Sequence, residues 1–221
     1  YQAGYHPTGN YNTWLGYKAG YGVLDSGAYN NVGIGREALL DITTGYENVA
    51  IGYLAGQNVT TANRSIYIGS GAGAGNVASA EYGVYIGHDA GGTAVSGMRN
   101  TIVGGGAGVN GYAAMNETTL VGWGAGAGVS GTNNTFIGSQ AGNATNAAIN
   151  CVAVGVALRS ITGNSNTAVG YGAMADGTGG ANNNTAIGQR ALQAATTCAG
   201  NTAVGRSALQ QATTQSYNTT V

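Results

Sequence analysis

The sequence predicts an all-β chain: a parallel β-solenoid of about 13 repeats, each about 17 residues long and forming one turn. Two observations carry this expectation. A phrase of the form Asn-Thr-Ala-(Val/Ile)-Gly-x-x-Ala recurs from end to end. Just before its glycine, β-branched residues alternate with a variable position.

The central glycines are Gly16, Gly35, Gly52, Gly69, Gly87, Gly104, Gly122, Gly138, Gly155, Gly170, Gly188 and Gly205, spaced 15 to 19 residues apart. We number positions from this glycine. The repeats fill residues 1–221 as a single continuous array that begins and ends within a repeat, so the chain is expected to be a window on a longer polypeptide.

Composition narrows the class. There are 42 glycines but only one proline, and no glycine at every third position, which excludes collagen. With 43% hydrophobic residues and a net charge of −1, charge-driven disorder is excluded too. Lys and Arg total 7, with no basic cluster, so no nucleic acid partner is expected. No apolar run approaches about 18 residues, so this segment is not expected to insert into a membrane.

Within a repeat, positions −4 to −1 read as a short strand. Position −1 is aliphatic throughout: Leu15 and Ile34, then Ile51, Ile68, Ile86, Val103, Val121, Ile137, Val154, Val169, Ile187 and Val204. Position −3 is always Thr, Val or Ile. Alternate positions share one face of a strand, so −1 and −3 are expected to face inward as the structural core. The glycine permits a sharp bend or a close approach of neighbouring backbone. Asparagine recurs at −4, as in Asn31, Asn48, Asn166 and Asn184. In stacked coils it suits a ladder of amide hydrogen bonds, or simply a turn. Positions +1 and +2 are expected to be mostly exposed, as the charges of Lys18, Arg36, Glu37, Asp89, Arg190 and Arg206 suggest.

Position −2 varies with position +4. Trp14, Tyr67, Tyr85, Ile102, Leu120 and Phe136 are followed at +4 by glycine. Gly33, Ala168, Ala186 and Ala203 are followed by Leu39, Met174, Leu192 and Leu209. Ala153 joins this set with Leu158 if its short repeat has lost one residue, and only Ala50 with Gly56 breaks the rule. Large meets small, as a buried site of fixed volume demands. If −1 and −3 fill one face and −2 the other, a second chain or layer must cover the second face. Tyr67, Tyr85, Ile102, Leu120, Phe136, Leu192 and Leu209 are therefore the expected self-association and packing residues.

The phrase in 166–173 and 201–208 resembles the head repeat of trimeric autotransporter adhesins, and similar repeats of bacteriophage tail fibres. The resemblance implies a left-handed parallel β-roll with three chains side by side. The repeat here is a few residues longer than the family's usual one, and this window holds no stalk, neck or membrane anchor.

Chemistry is sparse. Residues 69–75 contain a Gly-rich string, but no Lys-Ser/Thr follows it, so it reads as the repeat's own glycines. His6 and His88 lie far apart in repeat number, and no calcium-binding Gly/Asp repeat occurs; no metal and no cofactor are expected. Cys151 and Cys198 lie three repeats apart, about 14 Å at strand spacing. A disulfide needs about 7 Å, so they are expected to be small apolar fillers. Tyr1, Tyr17, Tyr53, Trp123 and Tyr171 at +1 either decorate the surface or form part of a sugar-binding one.

The expected protein is a non-enzymatic, extracellular fibre or filament segment. Its partner is itself, as a homotrimer or higher filament, with a surface glycan or receptor as a further possibility. One alternative is the receptor-binding shaft of a phage tail fibre or bacterial surface adhesin. Another is an ice-binding solenoid, which would need an exposed array of threonines. The interchange of Thr with Val and Ile at −3 argues that these threonines point inward.

Overall fold

A computed structural model of the chain describes residues 2–6, 8–22, 24, 26–75, 80–92, 97–110, 115–143, 147–160, 162–177 and 179–221. Among the described residues it holds thirteen short parallel strands and no helix. The chain forms two compact units, residues 1–117 and 118–221. The first contains β1 (Thr13–Leu15), β2 (Val32–Ile34), β3 (Val49–Ile51), β4 (Ile66–Ile68), β5 (Val84–Ile86) and β6 (Thr101–Val103). The second contains β7 (Thr119–Val121), β8 (Thr135–Ile137), β9 (Val152–Val154), β10 (Thr167–Val169), β11 (Thr185–Ile187), β12 (Thr202–Val204) and β13 (Thr219–Thr220).

Within each unit every strand pairs in parallel with the next in sequence. Val49 lies beside Ile66, and Ile68 beside Ile86, so the register advances by one repeat per strand. Each repeat is therefore one turn of a β-solenoid.

The bends come from left-handed backbone at fixed positions. Positions −5 and +2 adopt positive φ even as charged residues, as at Glu47 (56°), Arg64 (56°) and Glu37 (59°). The motif glycine is more extreme, with φ between 123° and 136° in every turn except Gly155 at 92°. Only glycine enters that region readily. It also stacks tightly: a β-carbon on Gly52 would sit 2.6 Å from the Gly69 carbonyl oxygen of the next turn.

Asparagine at −4 forms the ladder that its recurrence suggests. Asn48 Nδ2 donates to Asn31 Oδ1 (3.0 Å) and to the Ala62 carbonyl (2.7 Å). Asn48 Oδ1 accepts from the Ser65 backbone N–H (3.0 Å). The second unit repeats this through Asn166, Asn184, Asn201 and Asn218, with amide-to-amide distances of 3.1 Å. Each amide thus ties a bend to the turns on both sides, and satisfies buried backbone groups that no strand can reach.

The inside of the coil is built from the other set of strand positions. Tyr67, Tyr85, Ile102, Leu120 and Phe136 at −2 are fully buried, as are Leu39, Leu158, Met174 and Leu192. Ala38, Ala55, Ala72 and their equivalents at +3 complete the lining. The residues expected in the core face outward instead. Ile51, Ile137 and Ile187 are exposed, and Ile68, Ile86, Val103, Val121, Val154, Val169 and Val204 are half-buried. The reason is geometric. β-Branched residues suit a pleated backbone on either face, so their recurrence marks a strand but not its inner side. The place shared by −2 and +4 admits one large side chain per turn, while Ile42, Val59, Met115 and Val129 fill other inner places.

The volume exchange is a property of one chain. A β-carbon on Gly126 would lie 2.6 Å from Leu120 Cδ2, and one on Gly91 would lie 2.6 Å from Tyr85 Cδ1. In the short repeat Ala157 takes the alanine place and Leu158 the +4 place, both buried. The exception at Ala50 and Gly56 is explained by neighbours. A β-carbon on Gly56 would meet Leu39 Cδ2 at 3.0 Å and Tyr67 Cδ2 at 3.2 Å, from adjacent turns. The expectation that this site faces a second chain is therefore corrected. Tyr67, Tyr85, Ile102, Leu120, Phe136 and Leu192 are sealed within their own coil, and Leu209 is half-buried.

Position +4 is itself left-handed. Leu39, Leu158, Met174, Leu192 and Leu209 have φ of 47° to 52°. A left-handed non-glycine residue costs about 1–2 kcal/mol. Burying a leucine returns about 1.5–3 kcal/mol, and the empty site would cost about 2–5 kcal/mol as a cavity. Filling outweighs strain where −2 is small, except at Ala50, whose +4 place is occupied by Leu39 and Tyr67 of adjacent turns; glycine is preferred where −2 is large.

Cys151 and Cys198 are free and buried. Cys151 is more than a filler. It stands in the asparagine column, accepts from the Asn166 backbone N–H (3.5 Å), and directs its thiol at the Gly163 carbonyl oxygen (3.4 Å).

Candidate interaction surface

With −2 and −4 turned inward, strand alternation sends −1 and −3 to solvent. Each unit thereby carries two in-register outer columns, two residues apart along the strand and one turn apart along the axis. Neither column contains a charged residue in any of the twelve motif copies. Two compositions divide them. Over β2–β5 both columns are aliphatic: Val32 and Ile34, Val49 and Ile51, Ile66 and Ile68, Val84 and Ile86. From Thr101 onward −3 is threonine, apart from Val152, while −1 remains Val or Ile.

The −3 residues, the Thr column included, were expected inside with −1 and stand outside with it. A signal for them existed. Inner positions trade volume with one another, as −2 does with +4, whereas −1 and −3 vary without compensation. Uncompensated variation is what a solvent-facing column allows.

Around the bend, +1 is exposed at Tyr17, Tyr53, Trp123 and Tyr171; Tyr1 lies outside the described residues. In the first unit the rings are interleaved with cations. The Arg36 guanidinium stands 5.8 Å from the Tyr17 ring centroid and 5.5 Å from that of Tyr53. A second ladder places Arg64 5.3 Å from Tyr46 and 5.6 Å from Tyr82. Arg64 also donates to Glu47 Oε2 (2.8 Å) and to the Tyr82 hydroxyl (2.7 Å). Exposed cation–π contacts contribute about 0.5–1 kcal/mol each, so these columns brace neighbouring turns. Trp123 and Tyr171 have no such ring or cation partner among the described residues, and are 64% and 63% exposed.

The other candidate sites resolve into structure. In the Gly-rich string the Gly71 N–H donates to Tyr53 O (2.9 Å) and the Gly73 N–H to Ala90 O (2.9 Å). Those donors are spent on the neighbouring turns and do not form a phosphate cradle. His88 pairs with Asp89 (3.1 Å) at the surface, and His6 packs edge-on against Tyr5 and Tyr21. Among the described residues no group of three His, Cys, Asp or Glu is placed to hold a metal. An open groove lined by Gly9, Asn10, Tyr11, Gly27, Tyr29 and Asn30 carries no carboxylate, imidazole or thiol. No described helix is long and apolar enough to cross a membrane.

Burial pushes the thiols of Cys151 and Cys198 above their ordinary value. They are poor nucleophiles in the folded chain.

Comparison with known proteins gives no match to a family model, a curated protein or a solved structure.

Proposed function

We propose that the chain is a non-enzymatic filament segment, extracellular in setting, that associates with copies of itself through the aliphatic face of β2–β5. The observation that carries this is the pair of outer columns from Val32 to Ile86, eight Val and Ile side chains with no charge among them. Contiguous apolar patches of a few hundred Å² mark interaction sites on soluble proteins. A stable interface needs about 1,000 Å² in total, so two or three such faces meeting, with Leu15 and Val103 extending them, approach that size.

The resemblance of the repeat to trimeric adhesin heads supports side-by-side packing of three chains. The two regular columns support an assembly in which like turns meet like turns. Exposed Trp123 and Tyr171 favour a second reading, in which the segment is also the receptor-binding shaft of a tail fibre or surface adhesin, since Tyr and Trp, apolar in body and polar at the tip, are enriched at binding interfaces.

Sedimentation of the purified chain tests the proposal. The chain is expected to sediment as an oligomer, and Ile51→Lys and Ile66→Lys are each expected to release monomers of unchanged circular dichroism. A chain that sediments as a monomer at every concentration contradicts it.

A further inference from the structure

We propose that the threonine-bearing outer face of the second unit binds ice. The objection to an ice-binding face was that the −3 threonines point inward, and the fold removes it. Thr119, Thr135, Val152, Thr167, Thr185 and Thr202 stand in register on the outside, each with Val or Ile two residues on. The array repeats about every 4.8 Å across strands, and its two columns stand about 6.6 Å apart along each strand.

Three features suit an ordered water lattice. Thr and Val are nearly isosteric, so the column of γ-methyl groups is continuous through Val152. β-Branched side chains are restricted at χ1, and the Asn166–Asn184–Asn201 ladder fixes the turns beneath them. No charge interrupts either column; Arg190 and Arg206 lie beyond the motif glycine.

The hydroxyls choose the occupant. Among the described residues, none of these −3 threonine hydroxyls hydrogen-bonds within the protein. Covering them with a dry protein face would leave groups costing about 1–3 kcal/mol each when unsatisfied. An ice surface satisfies each hydroxyl with a lattice water and accepts the methyl groups between them. The all-aliphatic β2–β5 face has no such hydroxyls, which is why it is assigned to a second copy instead.

The test is the arrest of ice-crystal growth by the purified chain, measured as thermal hysteresis and as inhibition of recrystallisation. It is run on the chain and on Ile51→Lys, so that self-association cannot hide the face. Both are expected to arrest growth. Thr167→Val is expected to keep most of the effect, because it keeps the methyl column. Thr185→Lys is expected to lose it with an unchanged melting temperature. Ice growing as in buffer with both the chain and Ile51→Lys would overturn the inference. So would full activity in Thr185→Lys, or dissociation of an oligomer by Thr185→Lys, which would place a second copy on this face. The first two failures leave the β2–β5 assignment standing, whereas dissociation by Thr185→Lys would count against it as well.

Discussion

The ring of Phe136 occupies the space that a side chain on Gly142 would need: a β-carbon built there collides with Cδ2 and Cε2 of the ring. Both residues belong to the same turn, and both are sealed from solvent. Five other turns pair a large −2 residue with glycine at +4, and the remaining turns mostly reverse the arrangement with Leu or Met.

Replacing Gly142 with Leu is expected to destabilise the chain by about 1–3 kcal/mol through overpacking, with about 1–2 kcal/mol more from left-handed backbone. Phe136→Ala alone is expected to cost about 3–5 kcal/mol. The double variant recreates the pairing of Ala186 with Leu192 and is expected to lose clearly less than the sum. A thermal-melting cycle measures this coupling, and additive losses would show that the two positions do not share a site.

A motif glycine is expected to resist even alanine. Gly52→Ala would place its methyl 2.6 Å from the Gly69 carbonyl at φ 136°, so a loss of about 1–3 kcal/mol or more is expected. Gly180→Ala serves as the control, because nothing lies within 4 Å of its β-carbon. Denaturant melts of the two variants should separate them, with Gly180→Ala close to the parent chain.

The asparagine ladder is expected to tolerate serine better than alanine. Asn48→Ala strands the Ser65 N–H and the Ala62 carbonyl, each costing about 1–3 kcal/mol when buried. Ser65 itself stands in this column, donating to Ala80 O (2.5 Å) and accepting from the Gly83 N–H (3.0 Å). Chemical denaturation should therefore rank Asn48→Ser between the parent chain and Asn48→Ala.

The buried thiols give an alkaline signature. Cys151 is raised above 9.0 mainly by burial, so the folded state holds its proton where the unfolded state releases it. Stability is then unaffected by this group below the ordinary thiol value and falls as pH rises through it, up to the folded value. Melting temperatures on either side of pH 9 should diverge for the parent chain, and less so for Cys151→Ser.

Much of this fold was legible because a repeat supplies its own internal comparison. The period, the short strands, the parallel stacking, the Asn31–Asn48 ladder and the Phe136–Gly142 exchange all follow from comparing turns. The inner face was not legible from the hydrophobic pattern. Ile51 and Ile187 are more apolar than Ala50 and Ala186, yet they lie outside, because the inner place is filled from elsewhere: by Leu192 at +4 beside Ala186, and by Leu39 and Tyr67 of adjacent turns beside Ala50. The outward columns read as core for the same reason: an apolar column looks internal until the inner volume is already accounted for by other residues.

The central claim is that −2 is inside each coil, while −1 and −3 form a face that a second copy covers over β2–β5. Thiol labelling tests it most directly, in a chain carrying Cys151→Ser and Cys198→Ser. Ile68→Cys is expected to label quickly when the chain is dilute and to become protected as it assembles, while Ala50→Cys stays inert in both states. Rapid labelling of Ala50→Cys with Ile68→Cys protected in the dilute chain, or labelling of Ile68→Cys that does not change with concentration, would contradict the account.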